Sequence, residues 1–516
     1  MEVGSNLLMT EKEVRSYGTT IETVIADLTL PNPEYQNMMR FGKGRFYKKV
    51  DTHICYLKKR GDKYIIPRYY FGEYKDDSSS CVVSGRKLNS HFLGKLRDYQ
   101  NEFLTANQAE LLSHTGILLE AACGSGKTFL GIWLSYMRGV QTMVLVPTYY
   151  LAKQWKQRIE EFTNASVVIL SSADKEMPID MDFTIVVMDL FSVRTLPKEL
   201  VSNVGHVILD EAHRVGAETY LPILEEIPAK YRTALTATFR RTDGVHKILK
   251  YHFGEHFKME SRFPRPLVYA VHTGVQIRNV VSKNRKCDKF IEFLDAQGID
   301  YNETKSAIEF DGKKEALMLL ADKMLSRKEV TKTAYAEIRS CIKRGSDLSY
   351  PTIDSYLNEN AKRRKVAISL IQKSLDAGRT ILFLSKRKDT LRSLYKYFSK
   401  YKPMLIVSET NERSAEDEKY LQESCPLILG VTQLAKEGLD IDRLDTLIIH
   451  LPIKDTEQAI GRISRLREGK KTPTCLYLLD DCPVTYAVYN NARKFMKINA
   501  EVMGERNLLT IGTVLE

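Results

Sequence analysis

The sequence lacks the features of an exported, membrane-spanning or metal-stabilised protein. No uninterrupted apolar run approaches the roughly 20 residues that cross a bilayer, and the start, MEVGSNLLMTEKEVRS, has no basic stretch followed by an apolar core. The eight cysteines are scattered, with no two closer than seven positions. This spacing argues against a zinc knuckle or a disulfide framework and favours free thiols in a reducing compartment. We therefore expect an unexported, cytoplasmic protein with no membrane partner.

Length and charge set broad limits on the architecture and the partners. At 516 residues, the chain is long enough for about three domains of ordinary size. Its 77 basic and 65 acidic residues give a net charge of +12. An excess of this size permits a polyanionic partner but does not require one.

The stretch EAACGSGKTF (120–129) places glycines beside a lysine and a threonine. An apolar strand candidate, GILLEA, precedes it, and an apolar helix candidate, TFLGIWLSYM, follows it. A strand, a glycine-rich loop and a helix in this order are typical of a phosphate-binding loop. The alternative is an ordinary glycine turn, and Ala121 stands where the usual pattern has glycine.

A phosphate loop here assigns a role to each of its residues. Backbone N–H groups would wrap the phosphates, an exposed Lys127 would reach the β- and γ-phosphates of ATP, and Thr128 would bind Mg²⁺. The predicted nucleotide-binding residues of the loop are Gly124, Ser125, Gly126, Lys127 and Thr128.

A second candidate for ATP chemistry begins at Asp210, which 82 residues separate from Lys127. In VGHVILDEAHRV (204–215) an apolar strand candidate ends at Asp210 and Glu211. Carboxylates at the carboxyl end of such a strand lie where α/β sheets bind ligands. Asp210 would hold Mg²⁺, and Glu211 would orient and deprotonate the attacking water. An acidic loop start is the alternative for the pair taken alone.

Four motifs in order resemble those of the superfamily 2 helicases and translocases. They are AxxGxGKT at 121–128, DEAH at 210–213, TAT at 236–238 and QAIGRISR at 458–465. The resemblance covers roughly residues 90 to 480. LTATFRRTDG (235–244) and LVPTYYLAKQW (145–155) are similar to the DNA-acting group that includes XPB-type translocases and UvsW-type phage helicases, and less similar to DEAD-box RNA helicases.

The resemblance implies further site residues. LRDYQ (96–100) would recognise adenine through Arg97 and Gln100, although a surface glutamine is the alternative. His213, Thr236, Thr238 and Gln458 would couple the ATP site to the second domain. VTQLAKEGLDI (431–441) would place Gly438 and Asp440 near the nucleotide and Thr432 near nucleic acid, although Asp442 replaces a frequent proline.

The last motif carries two arginines that the resemblance makes catalytic. Arg462 and Arg465 are three residues apart, so on one helix they would project from the same face. Delivered to the γ-phosphate by closure of two domains, such an arginine contributes about 10³ to 10⁵ in rate. A solvated basic helix face is the alternative.

The strand and helix pattern predicts an α/β protein with two RecA-like doubly wound parallel-sheet domains in tandem. We expect a small β-rich accessory domain at 1–90, an ATP-binding domain at 91–262 and a second domain at 263–516. Between the strand candidates LVYAVHT (267–273) and TILFLS (380–385) lie 106 residues, too many for one crossover. The Lys-, Glu-, Ala- and Leu-rich part, about 283–360, is expected to be a helical insertion.

The segment 36–70 combines basic and aromatic residues. It contains ten Lys or Arg against two Asp, with seven Phe or Tyr interleaved. Such a composition suits phosphate contact and stacking, so Lys43, Arg45, Lys48 and Lys49 are predicted to contact duplex DNA. A basic surface over a small β core that docks on the motor is the alternative.

These features predict an ATP- and Mg²⁺-dependent DNA helicase or translocase that unwinds or remodels duplex, forked or branched DNA, moving 3′ to 5′ as the resemblance implies. A second hypothesis is an ATP-gated subunit of a larger machine, such as a transcription-release factor, that does not separate strands. RNA as the substrate is a third. The sequence identifies no protein partner.

Overall fold

The computed structural model describes most of the chain. The described residues are 2–32, 34–35, 51–74, 81–122, 124–212, 217–237, 239, 244–260, 265–283, 287–346, 349–407, 414–432, 441–451, 453, 456–465, 467 and 469–506. They form two compact units, Met1–Arg262 and Phe263–Glu516. Within these ranges, no helix combines the length and apolar character needed to span a bilayer.

Small antiparallel sheets open the first unit. The strands are β1 (Glu2–Val3), β2 (Asn6–Thr10), β3 (Thr29–Pro31), β4 (His53–Cys55), β5 (Lys58–Arg60) and β6 (Lys63–Pro67), with helices α1 (Glu11–Ser16) and α2 (Ile21–Asp27). Four strands pair in the order β1–β2–β6–β5, and β3 pairs with β4. Strands β5 and β6 pair antiparallel as a hairpin, across a turn in which Gly61 has a φ of +63°.

This N-terminal segment is packed into the first unit. Its apolar side chains, Val3, Leu7 and Met9 among them, share one core with Leu118 of the central sheet. Arg68 is fully buried, and its Nη1 donates to the carbonyl oxygen of Ala229 at 2.7 Å. The segment is therefore continuous in packing with the fold that follows it.

A seven-stranded parallel sheet forms the centre of the first unit. Its strands are β7 (Gly116–Ala121), β8 (Thr142–Val146), β9 (Val167–Leu170), β10 (Phe183–Val187), β11 (His206–Leu209), β12 (Tyr231–Thr236) and β13 (Glu255–Met259). The helices are α3 (Asp98–Ser113), α4 (Lys127–Arg138), α5 (Tyr149–Phe162), α6 (Lys198–Asn203), α7 (Ala217–Glu226) and α8 (Val245–Phe253). The strand order, β13–β7–β12–β11–β8–β10–β9, brings the ends of β7 and β11 to the same edge.

The second unit is built on another seven-stranded parallel sheet. Its strands are β14 (Leu267–Gln276), β18 (Ile381–Ser385), β19 (Met404–Ile406), β20 (Leu427–Val431), β21 (Thr446–Ile449), β22 (Thr474–Asp481) and β23 (Glu501–Arg506), in the order β19–β20–β18–β21–β22–β14–β23. The helices packed with it are α13 (Ala361–Asp376), α14 (Lys388–Tyr397), α15 (Ala415–Glu423), α16 (Glu457–Ile463) and α17 (Pro483–Asn499). The expected pair of RecA-like parallel-sheet domains is confirmed.

The insertion expected to be helical is a mixed α/β element, so that prediction is corrected. Strands β15 (Asn279–Ser282), β16 (Tyr301–Glu303) and β17 (Ala307–Phe310) form an antiparallel sheet in the order β15–β17–β16. Helices α9 (Asp288–Ala296), α10 (Lys314–Ser326), α11 (Lys332–Ser346) and α12 (Tyr350–Glu359) accompany it. Its own core includes Phe290, Ile308 and Ile338, because apolar faces of the sheet and the helices need mutual cover.

Candidate active site

The loop between β7 and α4 has a backbone shape suited to phosphate binding. Gly124 and Gly126 lie in the left-handed region, with φ of +82° and +86°. The positive φ at Gly126 favours glycine, and a Cβ there would also come within 2.2 Å of the Gln100 amide nitrogen. The loop leads directly into α4, whose first turn offers backbone N–H donors and the positive end of a helix dipole. An anion at this loop would therefore be stabilised.

Lys127 is more enclosed than the motif alone predicts. It is the first residue of α4, is 9% exposed, and donates from Nζ to the carbonyl oxygen of Ala121 at 3.0 Å. The expectation of an exposed loop lysine is wrong. The Lys127 ammonium is enclosed at the end of β7, where the Ala121 carbonyl accepts its hydrogen bond. Thr128 follows in α4 and is half-buried, and Ser125 donates its hydroxyl to the Ala122 carbonyl at 2.6 Å.

The Gln100 side chain is buried and donates a hydrogen bond to the phosphate loop. Its side chain is 2% exposed, Nε2 donates to the carbonyl oxygen of Ser125 at 3.2 Å, and Oε1 accepts from the backbone N–H of Arg97 at 3.0 Å. Arg97 is the N-cap of α3, and its guanidinium donates to the Tyr99 hydroxyl at 3.2 Å. To pair with adenine, the Gln100 amide would have to give up its hydrogen bonds to Ser125 and Arg97.

The two carboxylates lie at the carboxyl end of β11, a strand paired on both sides by β8 and β12. Asp210 is buried, and its Oδ2 accepts from the indole N–H of Trp155 at 2.7 Å. Burial, followed by the adjacent Glu211 carboxylate, raises the pKa of Asp210 above its ordinary value. The Lys127 ammonium opposes this shift in pKa, which shows that the loop lysine and this carboxylate are electrostatic neighbours.

Glu211 holds a backbone conformation that is uncommon for a residue with a side chain. Its φ is +50°, in the left-handed region, and it is half-buried. Strained residues of this kind cluster at functional sites, where the surrounding structure holds them in place. The turn directs the chain away from the sheet immediately after Asp210, whose Oδ1 accepts the Glu211 N–H at 2.8 Å.

Trp155 is a site residue that the motif assignment did not identify. It is buried in α5, in the LVPTYYLAKQW stretch that served only as a family marker. Its bond to Asp210 fixes the carboxylate in a site where burial would otherwise favour the neutral acid. The tryptophan at the end of that stretch was the available signal, because a tryptophan packed in a core needs an acceptor for its indole N–H.

The remaining predicted residues of the motor motifs fall partly outside the described residues. Thr236 ends β12 and is buried, and Thr432 follows β20 and is half-buried. Gln458 belongs to α16. The predicted residues that lie outside the described ranges are His213, Thr238, Gly438, Asp440, Lys43, Arg45, Lys48 and Lys49.

The predicted placement of Arg462 and Arg465 on one helix face is wrong. Arg462 is in the last turn of α16, but that helix ends at Ile463, so Arg465 lies beyond it. The Ser464 hydroxyl donates to the Ile460 carbonyl at 2.9 Å, a local bond that competes with continuation of the helix. Arg465 is half-buried and pairs with Asp442 at 3.6 Å.

Two family models match in the order of the two units. "Type III restriction enzyme, res subunit" matches residues 93–241, and "Helicase conserved C-terminal domain" matches residues 362–467. Putative ATP-dependent RNA helicase L396 of Acanthamoeba polyphaga mimivirus is 24% identical over 89% of this chain and 78% of that protein. DNA 3′-5′ translocase XPB2 of Sulfurisphaera tokodaii is 32% identical over 30% of this chain and 33% of that protein.

Among solved structures, the Hef helicase domain of Pyrococcus furiosus aligns with a TM-score of 0.43 at 16% identity, over 75% of this chain and 97% of that one. The two family models and the helicase relatives agree with the two parallel-sheet units. By these matches the chain is similar to the superfamily 2 helicases and translocases. Domains of this family hydrolyse ATP, typically with Mg²⁺, and bind nucleic acid.

Proposed function

We propose that this chain is an ATP-driven DNA motor that separates or remodels duplex, forked or branched DNA while moving 3′ to 5′. The observation that carries the choice of DNA and of direction is the 32% identity with a protein named DNA 3′-5′ translocase. The LTATFRRTDG and LVPTYYLAKQW stretches support the same choice, since both are similar to the DNA-acting group.

The first unit fits the phosphates of ATP. Left-handed glycines at 124 and 126 free the backbone to approach an anion, and α4 adds its N-terminal donors. Lys127 would leave the Ala121 carbonyl for the β- and γ-phosphates. Thr128 and Asp210 would hold Mg²⁺, which neutralises phosphate charge when bound.

Glu211 is the proposed general base of hydrolysis. It takes a proton from the attacking water as the water oxygen bonds to the γ-phosphorus and the bond to the bridging oxygen of ADP breaks. One of the two arginines, Arg462 or Arg465, would stabilise the charge that develops on the γ-phosphoryl group.

The other predicted residues keep their proposed roles. Arg97 and Gln100 would shape the adenine side of the site, and Ser125 would belong to the phosphate loop. The proposed coupling residues are His213, Thr236, Thr238 and Gln458. The proposed nucleotide and nucleic-acid contacts are Gly438, Asp440, Thr432, Lys43, Arg45, Lys48 and Lys49.

Replacing Glu211 by glutamine is expected to separate binding from hydrolysis. The amide keeps the shape of the side chain but is not a base, so ATP should bind within several-fold of the parent while turnover falls by roughly 10² to 10⁴. Fluorescent-nucleotide titration and phosphate release measure the two quantities. Glu160→Gln, on the exposed face of α5, is the matched control. Loss of nucleotide binding in Glu211→Gln would contradict the role of a base.

RNA remains a second candidate substrate because the mimivirus relative, which aligns with 89% of this chain, is named an RNA helicase. A displacement assay with one labelled strand compares a forked DNA, a branched DNA junction and an RNA duplex, each with 3′ or 5′ single-stranded arms. We expect ATP-dependent release from the DNA fork that carries the 3′ arm. Release from RNA alone would favour the second candidate. ATP hydrolysis stimulated by DNA without release would favour a translocase subunit of a larger machine.

A further inference from the structure

The outer face of α14 in the second unit carries positive charge of nearly one sign. The segment 386–402, KRKDTLRSLYKYFSKYK, has seven Lys or Arg and one Asp. Four of these basic residues, Lys388, Arg392, Lys396 and Lys400, recur every fourth position, and all four are exposed. We name them the α14 basic row. Three belong to the helix itself, and Lys400 belongs to the short 3₁₀ turn that follows, Ser399–Tyr401.

Residues four apart on a helix lie on one face, so Lys388, Arg392 and Lys396 form a line, and Lys400 continues the positive charge into the turn that follows. With a rise of about 1.5 Å per residue, neighbouring members within the helix are about 6 Å apart along the axis. Like charges at this spacing repel and weaken a helix, whereas alternating acidic residues would strengthen it. A row of positive charges therefore lowers the stability of the helix, and a polyanion bound at this face would offset that loss.

The one acidic residue of α14, Asp389, does not neutralise the basic row. Asp389 pairs with Arg392 at 3.6 Å, but the two side chains are 91% and 63% exposed. Exposed pairs of this kind are screened by solvent and contribute little. Lys402 does not belong to the row because it lies only two positions after Lys400, outside the four-residue spacing.

Aromatic side chains flank the row. Tyr395 is 43% exposed and Tyr397 is 62% exposed. Exposed tyrosines beside lysines and arginines are the combination that binds a sugar-phosphate backbone and its bases. A nucleic acid can use both parts of this surface, because its phosphates pair with the basic side chains and its bases stack on the tyrosine rings.

Core packing and hydrogen bonds fix α14 in the second unit. Leu391 and Leu394 are buried in the core of the second unit. At its N-terminus, Arg387 donates to Asp354 of α12 at 2.9 Å, and the Thr390 hydroxyl donates to Asn358 of the same helix. The row begins next to the carboxyl end of β18, the edge at which α/β sheets bind ligands, and runs down the flank of the unit.

We infer that the α14 basic row binds the phosphate backbone of the nucleic acid on which the motor acts. The inference rests on the proposed function, since it assumes a nucleic-acid substrate, and it adds a contact surface on the flank of the second unit that the helicase motifs do not include. The partner is a phosphodiester chain recognised by charge and stacking, without base sequence.

The test compares two triple variants of the full-length chain. Arg392, Lys396 and Lys400 are replaced by alanine in one, and Arg493, Lys494 and Lys497 in the other. The second set lies on α17, is equally exposed, and removes the same one arginine and two lysines. Affinity for a labelled DNA fork is measured without nucleotide over a series of KCl concentrations.

Each lost phosphate contact should flatten the slope of log affinity against log salt by about 0.9 for duplex DNA, so the α14 variant should lose up to about 2.7. We expect its affinity near 0.1 M salt to fall by about tenfold or more, and that of the α17 variant to stay within about twofold. Lysine acetylation footprinting gives a second readout, in which DNA should protect Lys396 and Lys400 but not Lys494.

The outcomes separate this inference from the proposed function. If the parent chain binds no nucleic acid, the proposed function fails as well. The parent chain can also bind while the α14 variant keeps the parental salt slope, or while both triple variants lose affinity equally. Either result refutes only the α14 basic row and leaves this face of α14 as a solvated or protein-binding surface. Thermal unfolding checks folding, because removal of exposed like charges should not lower stability. A variant that does lose stability is replaced by its glutamine equivalent.

Discussion

Replacing Lys127 by alanine is expected to reduce ATP hydrolysis by roughly 10² to 10³, because a positioned cation on the transferring phosphoryl group is lost. Phosphate release under saturating ATP and DNA measures the effect. Lys198→Ala is the matched control, since Lys198 is also the first residue of a helix in the same unit and is exposed. Hydrolysis at more than a few per cent of the parental rate would refute the phosphate-loop assignment.

The same variant has a folding consequence that the motif alone does not predict. Lys127 is nearly buried and donates to the Ala121 carbonyl, so alanine leaves an acceptor at the end of β7 without this donor. The loss of one such bond costs on the order of 1 to 3 kcal/mol. Trp133, in the same helix, gives a fluorescence signal that follows unfolding of this unit. A native-like signal at assay temperature shows that lost hydrolysis is not lost structure.

The parallel sheets could be predicted because their strands are continuous apolar runs that end at turn residues or charges. Ile381–Ser385, Leu427–Val431 and Thr474–Asp481 are each buried through most of their length, as interior parallel strands must be. The phosphate loop was predictable for a similar reason, since its glycines and lysine are consecutive in the chain.

The insertion could not be predicted in the same way. Strands β15, β16 and β17 have only three or four residues each, and β15 pairs with β17 across more than twenty residues of chain. Short antiparallel strands carry little periodicity, so the surrounding Lys- and Glu-rich helices dominate the local composition. The helix α16 ends before Arg465, next to a side-chain bond from Ser464 to the Ile460 carbonyl, and a rule based on residue spacing does not contain such a local bond.

A buried ion pair at the centre of the second unit carries the largest expected effect on stability. Arg363 of α13 donates from Nε to both carboxylate oxygens of Asp480 in β22, at 2.9 and 3.1 Å, and both side chains are fully buried. The Thr273 hydroxyl of β14 donates to the same carboxylate at 2.5 Å. Arg363 also donates to the backbone carbonyl of His450, beyond β21. The pair therefore ties α13 to strands β22 and β14 and to the residue that follows β21.

Replacing Asp480 by asparagine is expected to destabilise the second unit by about 3 to 5 kcal/mol, because it leaves the Arg363 guanidinium buried without its counter-ion. Asp311→Asn is the matched control. Asp311 pairs with Arg278 at 2.9 Å, but its side chain is 52% exposed, so its loss should cost no more than about 1 kcal/mol.

The position of the tryptophans makes the measurement specific to one unit. The chain has two, Trp133 and Trp155, and both lie in the first unit. When the Asp480→Asn variant unfolds, circular dichroism should therefore show part of the helical signal lost under milder conditions than in the parent. Tryptophan fluorescence should keep the unfolding transition of the parent. A circular dichroism transition that matches the parent would show that the Arg363–Asp480 pair does not stabilise the fold. An equal shift in both probes would show instead that the two units unfold as one cooperative body.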